Sequence, residues 1–235
     1  MAARIEVMPI VEDARAKVRK RQLEGMGFTG KIDDVHLVDV YTVDAALKKS
    51  QLAHVAAMLA DAITERPSID AALAPRQFDW AIEVGFHPGV TDNVAATARE
   101  GLEDLLTTKL QAHEDVYSSR ITFLSGNLSR DDAAVIARSI ANPLIQRTHI
   151  KSFNEFRIDH GMETIVPKVR LGAQPAIDTV NLLDATEDQL VLIGKKGIAN
   201  VDGTRRGPLA LDLTYMRAIQ AYFRQLRRNP TDVEM

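Results

Sequence analysis

The sequence predicts an α+β protein: two tandem copies of one antiparallel unit with helices on one face, then a mixed region and a final helix. Two observations carry this. The first is repetition. Arg4-Ile5-Glu6-Val7, Val11-Glu12-Asp13 and Asp39-Val40-Tyr41 are followed later by Ala81-Ile82-Glu83-Val84, Val90-Thr91-Asp92 and Asp115-Val116-Tyr117. Helical patterns close both series, at Val55-Ala56-Ala57-Met58-Leu59-Ala60 and Ala133-Ala134-Val135-Ile136-Ala137-Arg138, and the offset stays between 76 and 79 residues. Four markers in one order at a nearly constant offset point to an internal duplication. The second observation is that period-two strand patterns alternate with helical ones, as in sheets that carry helices on a face.

Each element follows from local chemistry. Ile5-Glu6-Val7 alternates apolar and polar, as half-buried strands do. A helix starts at Asp13 and stops near Gly25-Met26-Gly27, because glycine tolerates the left-handed turn that ends helices. Residues 35–43 are β-rich and form a second strand, and 68–73 more weakly a third. The second copy opens with Ile82-Glu83-Val84-Gly85-Phe86. Pro88-Gly89 turns the chain, and Thr91 or Asp92 caps a helix over 93–108. A strand spans 116–124, Gly126 belongs to a turn, and Ser129-x-x-Asp132 caps the next helix. A last strand covers 144–153. The units are bounded at 1–78 and 79–153. As ferredoxin-like units they pack as a pseudo-dimer that buries the sheet surface one copy leaves exposed.

The region 154–235 is read as a linker with a C-terminal helix. Strand patterns lie at 166–171, 178–183 and 190–193. Turns are expected at Gly172, Pro175, Gly194, Gly197, Gly203, Gly207 and Pro208. Residues 213–226 are helical, with Leu213, Met216, Ile219, Ala221, Phe223 and Leu226 as the apolar face and Arg217, Arg224, Arg227 and Arg228 as the basic one. Thr231-Asp232-Val233-Glu234 has the form of a capping box after an Asn229-Pro230 turn. A helix start at this point reads as a polypeptide cut, or separately encoded, at a boundary.

Composition removes several function classes. The chain has 235 residues and no cysteine, so disulfides and thiolate catalysis are excluded from it. A net charge of -3 provides no bulk attraction for nucleic acid. No run approaches the ~18 apolar residues of a membrane span, and the N-terminus lacks a signal-peptide core, so the expected setting is the cytoplasm. His36, His54, His87, His113, His149 and His160 show no zinc-like spacing. Only His87, in the Phe86-His87-Pro88-Gly89 turn, stands out. The paired acids Asp33-Asp34, Glu103-Asp104, Asp131-Asp132 and Glu187-Asp188 diverge on a helix and suit caps and solvated faces better than general acid/base work. Ser118-Ser119 and Ser125 lack a nucleophile-elbow context. Gly194-Lys195-Lys196-Gly197 with Gly203-Thr204-Arg205-Arg206-Gly207 reads as two hairpin turns with solvated cations. The alternative is a phosphate-binding loop, although it is no P-loop. No catalytic, cofactor or metal residue is assigned.

Two stretches carry a resemblance. Ile82-Glu83-Val84-Gly85-Phe86-His87-Pro88-Gly89-Val90-Thr91-Asp92-Asn93-Val94-Ala95 resembles the N-terminal, PurS-like region of phosphoribosylformylglycinamidine synthase. Arg217-Ala218-Ile219-Gln220-Ala221-Tyr222-Phe223 and Arg228-Asn229-Pro230-Thr231-Asp232-Val233-Glu234 look like the helix and turn leading into its synthetase domain, and Asn142-Pro143-Leu144-Ile145-Gln146 fits the end of a PurS-like unit. The resemblance covers 4–150 and 209–235. It implies the non-catalytic scaffold of a ligase of purine biosynthesis, which uses ATP with magnesium and ammonia from glutamine. It implies the enzyme's synthetase and glutaminase domains, fused or separate, as partners, and no nucleic acid or membrane. The family's glutaminase nucleophile is a cysteine, absent here, and its synthetase motifs lie past Glu234. The first copy has Met8-Pro9-Ile10 in place of the longer Pro-Gly loop. The alternative reading is a regulatory module that binds a small metabolite between two ferredoxin-like units. On the scaffold reading, helix 213–226 keeps an apolar stripe that the chain cannot fully cover, with Tyr222 and Phe223 as interface residues. Otherwise the helix folds back on 154–208 and buries Leu213, Met216, Ile219 and Phe223.

Overall fold

Alternation and capping build the first half of the sheet as strand–helix–strand–helix–strand. The elements are β1 (Ala3–Pro9), α1 (Ala14–Leu23), β2 (Ile32–Asp44), α2 (Lys49–Leu59) and β3 (Glu65–Ile69). The second half repeats that order with β4 (Trp80–Phe86), α3 (Asn93–Leu106), β5 (Asp115–Gly126), α4 (Arg130–Ile140) and β6 (Gln146–Ser152), and α5 (Phe153–Ile158) follows. Asp13 caps α1 by accepting from the Arg15 N–H at 2.8 Å, and Asp92 caps α3 by accepting from the Ala95 N–H at 2.9 Å. After α1 a π-helical turn, Glu24–Phe28, bends back at Gly27 with φ 99°, a conformation that costs glycine little. The Ser129–Asp132 capping box forms as expected.

A computed structural model of the chain describes residues 2–169, 177–200 and 203–235. Among these it is an α+β protein with one open, six-stranded antiparallel sheet and seven helices. It divides into the units Met1–Val169 and Arg170–Met235.

The strand order is β3-β1-β2-β5-β4-β6. It reads the same from either edge when the first half is exchanged for the second. The halves meet at β2 and β5, which pair from Ile32–Gly126 to Asp44–Asp115. They therefore share one sheet edge to edge, rather than each covering the other's open face. The helix-bearing face holds two apolar clusters. One sets Ala16 and Leu23 of α1 and Ala133, Ile136 and Ala137 of α4 over Val35, Leu37, Ile82 and Leu124. The other sets Val55 and Ala56 of α2 and Ala98 and Leu102 of α3 over Ile5, Val7, Val43 and Val116. Each cluster draws one helix from each half, so neither half has a separate core. At about 25 cal/mol per Å² of buried apolar surface, this sharing makes the two halves stabilise one another.

The opposite face is covered by the segments after β3 and β6. Phe78 makes edge-to-face contacts with Phe123, Phe153 and Phe156 at 4.8, 5.1 and 5.3 Å between centroids, above Val38, Val40, Ala81 and Ile121. Glu6 and Glu83, expected to alternate outward from half-buried strands, are consequently buried. The register also corrects one marker of the duplication. Glu6 pairs with Val40 and Glu83 with Ile121, so Val40 corresponds to Ile121 and not to Val116. Val116 pairs with Val43 and packs on the helix face, whereas Val40 packs with Phe78 and Phe123 on the other. An even displacement would have kept the face, and this one is odd.

The smaller unit differs from expectation. Residues 190–193, expected as a strand, lie inside helix α6 (Glu187–Lys196). Thr186 and Gln189 form a capping box there, and a four-residue apolar run fits either element. Gly194, expected in a turn, is helical, and its missing Cβ leaves room for Leu211 O, 2.2 Å from where a Cβ would stand. Gly197 ends the helix. The expected strand at 178–183 reduces to one bridge, Thr179 to Thr231. Residues 166–169 are not a strand, and 170–171, Gly172 and Pro175 lie outside the described residues. Helix α7 (Leu213–Leu226) packs Met216 against Leu182 and Leu190, with Leu213 and Ile219 alongside. Gln220 donates to the carbonyls of Leu182 and Ala185 at 2.8 and 2.9 Å.

Candidate functional site at the centre of the sheet

The sheet carries charge on both faces. On the face covered by segments, Arg4 of β1 lies between two glutamates. Its Nε donates to Glu6 Oε1 at 2.7 Å, and its Nη2 donates to Glu83 Oε2 at 3.0 Å. Ser119 Oγ donates to Glu83 Oε1 at 2.6 Å, the Leu73 N–H donates to Glu6 Oε2 at 2.6 Å, and the Glu163 carbonyl accepts from Arg4 Nη1 at 3.1 Å. Burial works against the Arg4 charge, but Glu83 and Glu6 outweigh it, so its pKa moves up. This is a tightly bonded internal cluster, closed to a ligand. Arg147 of β6 lies beside it over Gly85, where an added Cβ would stand 2.9 Å from Arg147 Nη2. Its Nε and Nη1 are buried without a hydrogen-bond partner among the described residues, and burial pushes its pKa down.

On the helix-bearing face, the two apolar clusters leave a polar seam between them. Asp39 of β2 stands opposite Arg120 of β5. Asp39 accepts from Arg120 Nε and from Arg15 Nη1, each at 2.7 Å, and so spends one oxygen on each arginine. Asp13 accepts from Arg15 Nε at 3.1 Å. Ser118 donates its N–H and its Oγ to Asp92, at 2.8 and 2.9 Å, and this joins β5 to the start of α3. A cleft of about 210 Å³ opens over this seam. Arg19, Arg120, Asp39 and Thr122 supply polar groups to its lining, and Val94 and Ile140 apolar ones. Arg19 is half-buried and makes no hydrogen bond or ion pair among the described residues. Burial lowers its pKa, and the neighbouring Arg120 charge lowers it further. Arg15 and Arg120 are shared between Asp13 and Asp39, and Arg19 is bonded to neither carboxylate.

The features singled out in the sequence fall elsewhere. His87 places Nε2 3.3 Å from Pro143 O, which ties the β4–α3 loop to the chain entering β6. Among the described residues, no three His, Asp or Glu side chains gather as a metal site. Of the paired acids, Asp132 belongs to a cap, and Glu103 and Glu187 are ion-pair partners. Asp132 is held at about 2, first by the Ser129 N–H and hydroxyl and then by Lys31. Glu103 is also held at about 2, first by Lys109. In the basic glycine-rich segment, Lys195 and Lys196 belong to the last turn of α6 rather than to a hairpin. Arg205 donates to Gly197 O at 2.7 Å, and Arg206 is bonded to Asp178 and Asp232. These arginines are engaged within the unit, not arrayed around an anion.

Phe223, expected as an interface residue, is instead buried within this chain. Phe223 and Met216 are buried, Leu213 and Ile219 are half-buried, and α7 folds back on 182–193. Tyr222 is 57% exposed and Tyr215 63%, and both lie outside that packed stripe. The Thr231–Glu234 capping box forms around a short 3₁₀ turn, with Arg228 and the Thr231 N–H holding Glu234 at about 2. The sequence reading missed Arg4, Arg19, Arg120 and Arg147. The available signal was a charged residue at the centre of each duplicated strand, Glu6 and Glu83. Comparison with models of known protein families finds no match to this sequence, and comparison with curated proteins finds none similar to it.

Proposed function

We propose that this chain is the non-catalytic N-terminal scaffold portion of a phosphoribosylformylglycinamidine synthase. It consists of two tandem PurS-like, ferredoxin-like units at 1–78 and 79–153, followed at 154–235 by a linker with its C-terminal helix. The observation that carries the reading is the palindromic sheet, in which one chain runs twice through strand–helix–strand–helix–strand and joins its halves through β2 and β5. A scaffold of this kind offers two similar but non-identical ends to different partners. The motif resembling the family, 82–95, runs from β4 through the Pro88-Gly89 turn to the capped start of α3. ATP, magnesium and glutamine belong to the synthetase and glutaminase domains that this portion bridges in the cytoplasm. No helix among the described residues is long and apolar enough to cross a membrane.

Reconstitution tests the proposal. The chain is mixed with the synthetase and glutaminase portions from the same genome, and amidation of formylglycinamide ribonucleotide is followed. The chain alone neither hydrolyses ATP nor releases ammonia from glutamine. Added to the catalytic portions it forms a complex and raises their turnover. Turnover by the chain alone above a heat-treated control, or the absence of a complex, overturns the reading.

A further inference from the structure

We propose that the cleft over β2 and β5 is a binding site for a small molecule that carries an oxyanion, phosphate or carboxylate, on an apolar or aromatic body. This goes beyond the scaffold role and stands independently of it.

The cleft presents a cation with nothing to bind. Arg19 extends from α1 into the cleft lining and is half-buried without a partner among the described residues. Arg120 faces the same space and uses Nε on Asp39, which leaves its terminal nitrogens for another acceptor. Two guanidinium groups facing one cavity, with the lining carboxylate of Asp39 engaged by Arg15 and Arg120, repel each other until an anion sits between them. Such forks match the geometry of carboxylate and phosphate. Thr122 also lines the cavity.

The remaining wall sets the rest of the ligand. Val94 and Tyr41 border this cleft and also a neighbouring hollow, where Met58 and Leu59 of α2 face Thr97 and Ala98 of α3. The polar end of the site therefore continues into an apolar trough between helices of opposite halves. Binding pockets of this composition pair a few convergent polar groups with an apolar body. Since the trough is walled by α2 and α3 and the polar end by α1 and β5, an occupant touches both halves of the sheet.

The test titrates the intact chain with phenyl phosphate and reads amide shifts by NMR, with inorganic phosphate, benzoate and phenol as parallel probes. Phenyl phosphate or benzoate is expected to saturate and to shift residues of β5, α1 and α3, and the stronger of the two identifies the anion. Inorganic phosphate binds more weakly, and phenol does not saturate. Arg19→Gln weakens binding about tenfold, the effect of losing one charge-assisted hydrogen bond, while its melting temperature is unchanged or raised. Arg120→Gln weakens it likewise. If that variant does not fold, Arg19→Gln alone decides. Lys195→Gln, outside the cleft, changes nothing. Absence of saturation by every probe, or binding that Arg19→Gln leaves intact, overturns the proposal. Failure of reconstitution with the catalytic portions leaves these titrations unaffected, so the two readings fail separately.

Discussion

Glu6 and Glu83 occupy the same place in the two halves of the sheet, opposite Val40 and Ile121, yet only the first half supplies an arginine that hydrogen-bonds to them. Two residues before Glu6 stands Arg4, and two residues before Glu83 stands Ala81, packed among Val38, Val40 and Phe123. The other positions diverge in the same way. Met8 pairs with Arg66, which is exposed, whereas Gly85 pairs with Arg147, which lies down over the glycine toward the centre. A duplicated backbone thus holds a single, asymmetric charge cluster. Repetition dictates where strands run. Which side chains meet at the centre depends on differences between the copies, and a strictly symmetric centre would bury two carboxylates with two arginines in mirrored places.

The largest effect is expected from Arg4→Met. It leaves Glu6 and Glu83 buried and uncompensated, and breaking a buried ion pair in this way costs about 3–5 kcal/mol. Urea denaturation measures it, and a loss below about 1 kcal/mol would show that the Arg4–Glu83 contact does little to hold the halves together. Next comes Gly126→Ala. Gly126 adopts φ 145°, and a Cβ there would stand 2.1 Å from Lys31 O, so a loss of about 2 kcal/mol or more is expected. Its counterpart five residues past the paired position in the first half is Ala45, where Ala45→Gly should cost about 1 kcal/mol or less. Equal costs would make the two junctions alike. Arg147→Leu removes a partly buried guanidinium with unpaired donors and should stabilise the fold by about 1 kcal/mol, while Arg66→Leu stays within about 0.5 kcal/mol.

The smallest difference concerns pH. Helix α4 of the second half is capped by Asp132, whereas α2 of the first half uses Gln51, whose Oε1 accepts from the Lys48 N–H at 2.9 Å. Asp132 titrates at about 2 in the folded chain against an ordinary 3.8, because the Ser129 hydrogen bonds and Lys31 favour its charged form. A folded pKa below the unfolded one contributes stability above about 4, and that stability drains away as pH falls toward about 2. Hydrogen exchange at the start of α4 should therefore quicken across that window, while the start of α2 stays unchanged. Asp132→Asn should remove the dependence. Equal acid sensitivity of both starts would sink this distinction.

Much of the architecture was legible along the chain. Most strand and helix positions in 3–152 follow from alternation, from Asp13, Asp92 and Ser129 as caps and from the glycines after α1, because these signals act within a few residues. The strand expected at 68–73 instead lies at Glu65–Ile69, and Gly126, expected in a turn, is the last residue of β5. The short apolar run at 190–193 was not legible, since four residues cannot separate a strand from a helix whose start is set by Thr186 and Gln189. Of the candidate site, Glu6, Glu83, Asp13, Asp39 and Asp92 stand out along the chain as strand, repeat or cap residues, but nothing local marks them as partners of arginines.

By itself the sequence determined that a strand–helix–strand–helix–strand order occurs twice, where α1, α3 and α4 begin, and that this chain holds no thiol. Tertiary structure decided that the units join through β2 and β5 into one sheet, and that Phe78 and Phe156 close the face over Glu6 and Glu83. It alone brought Arg4 to Glu83 and set Asp39 against Arg120. The reason is physical: a period of two says that side chains alternate between faces, but not what covers each face. Charge partners on different strands are chosen by pairing register, a long-range property that no local pattern encodes.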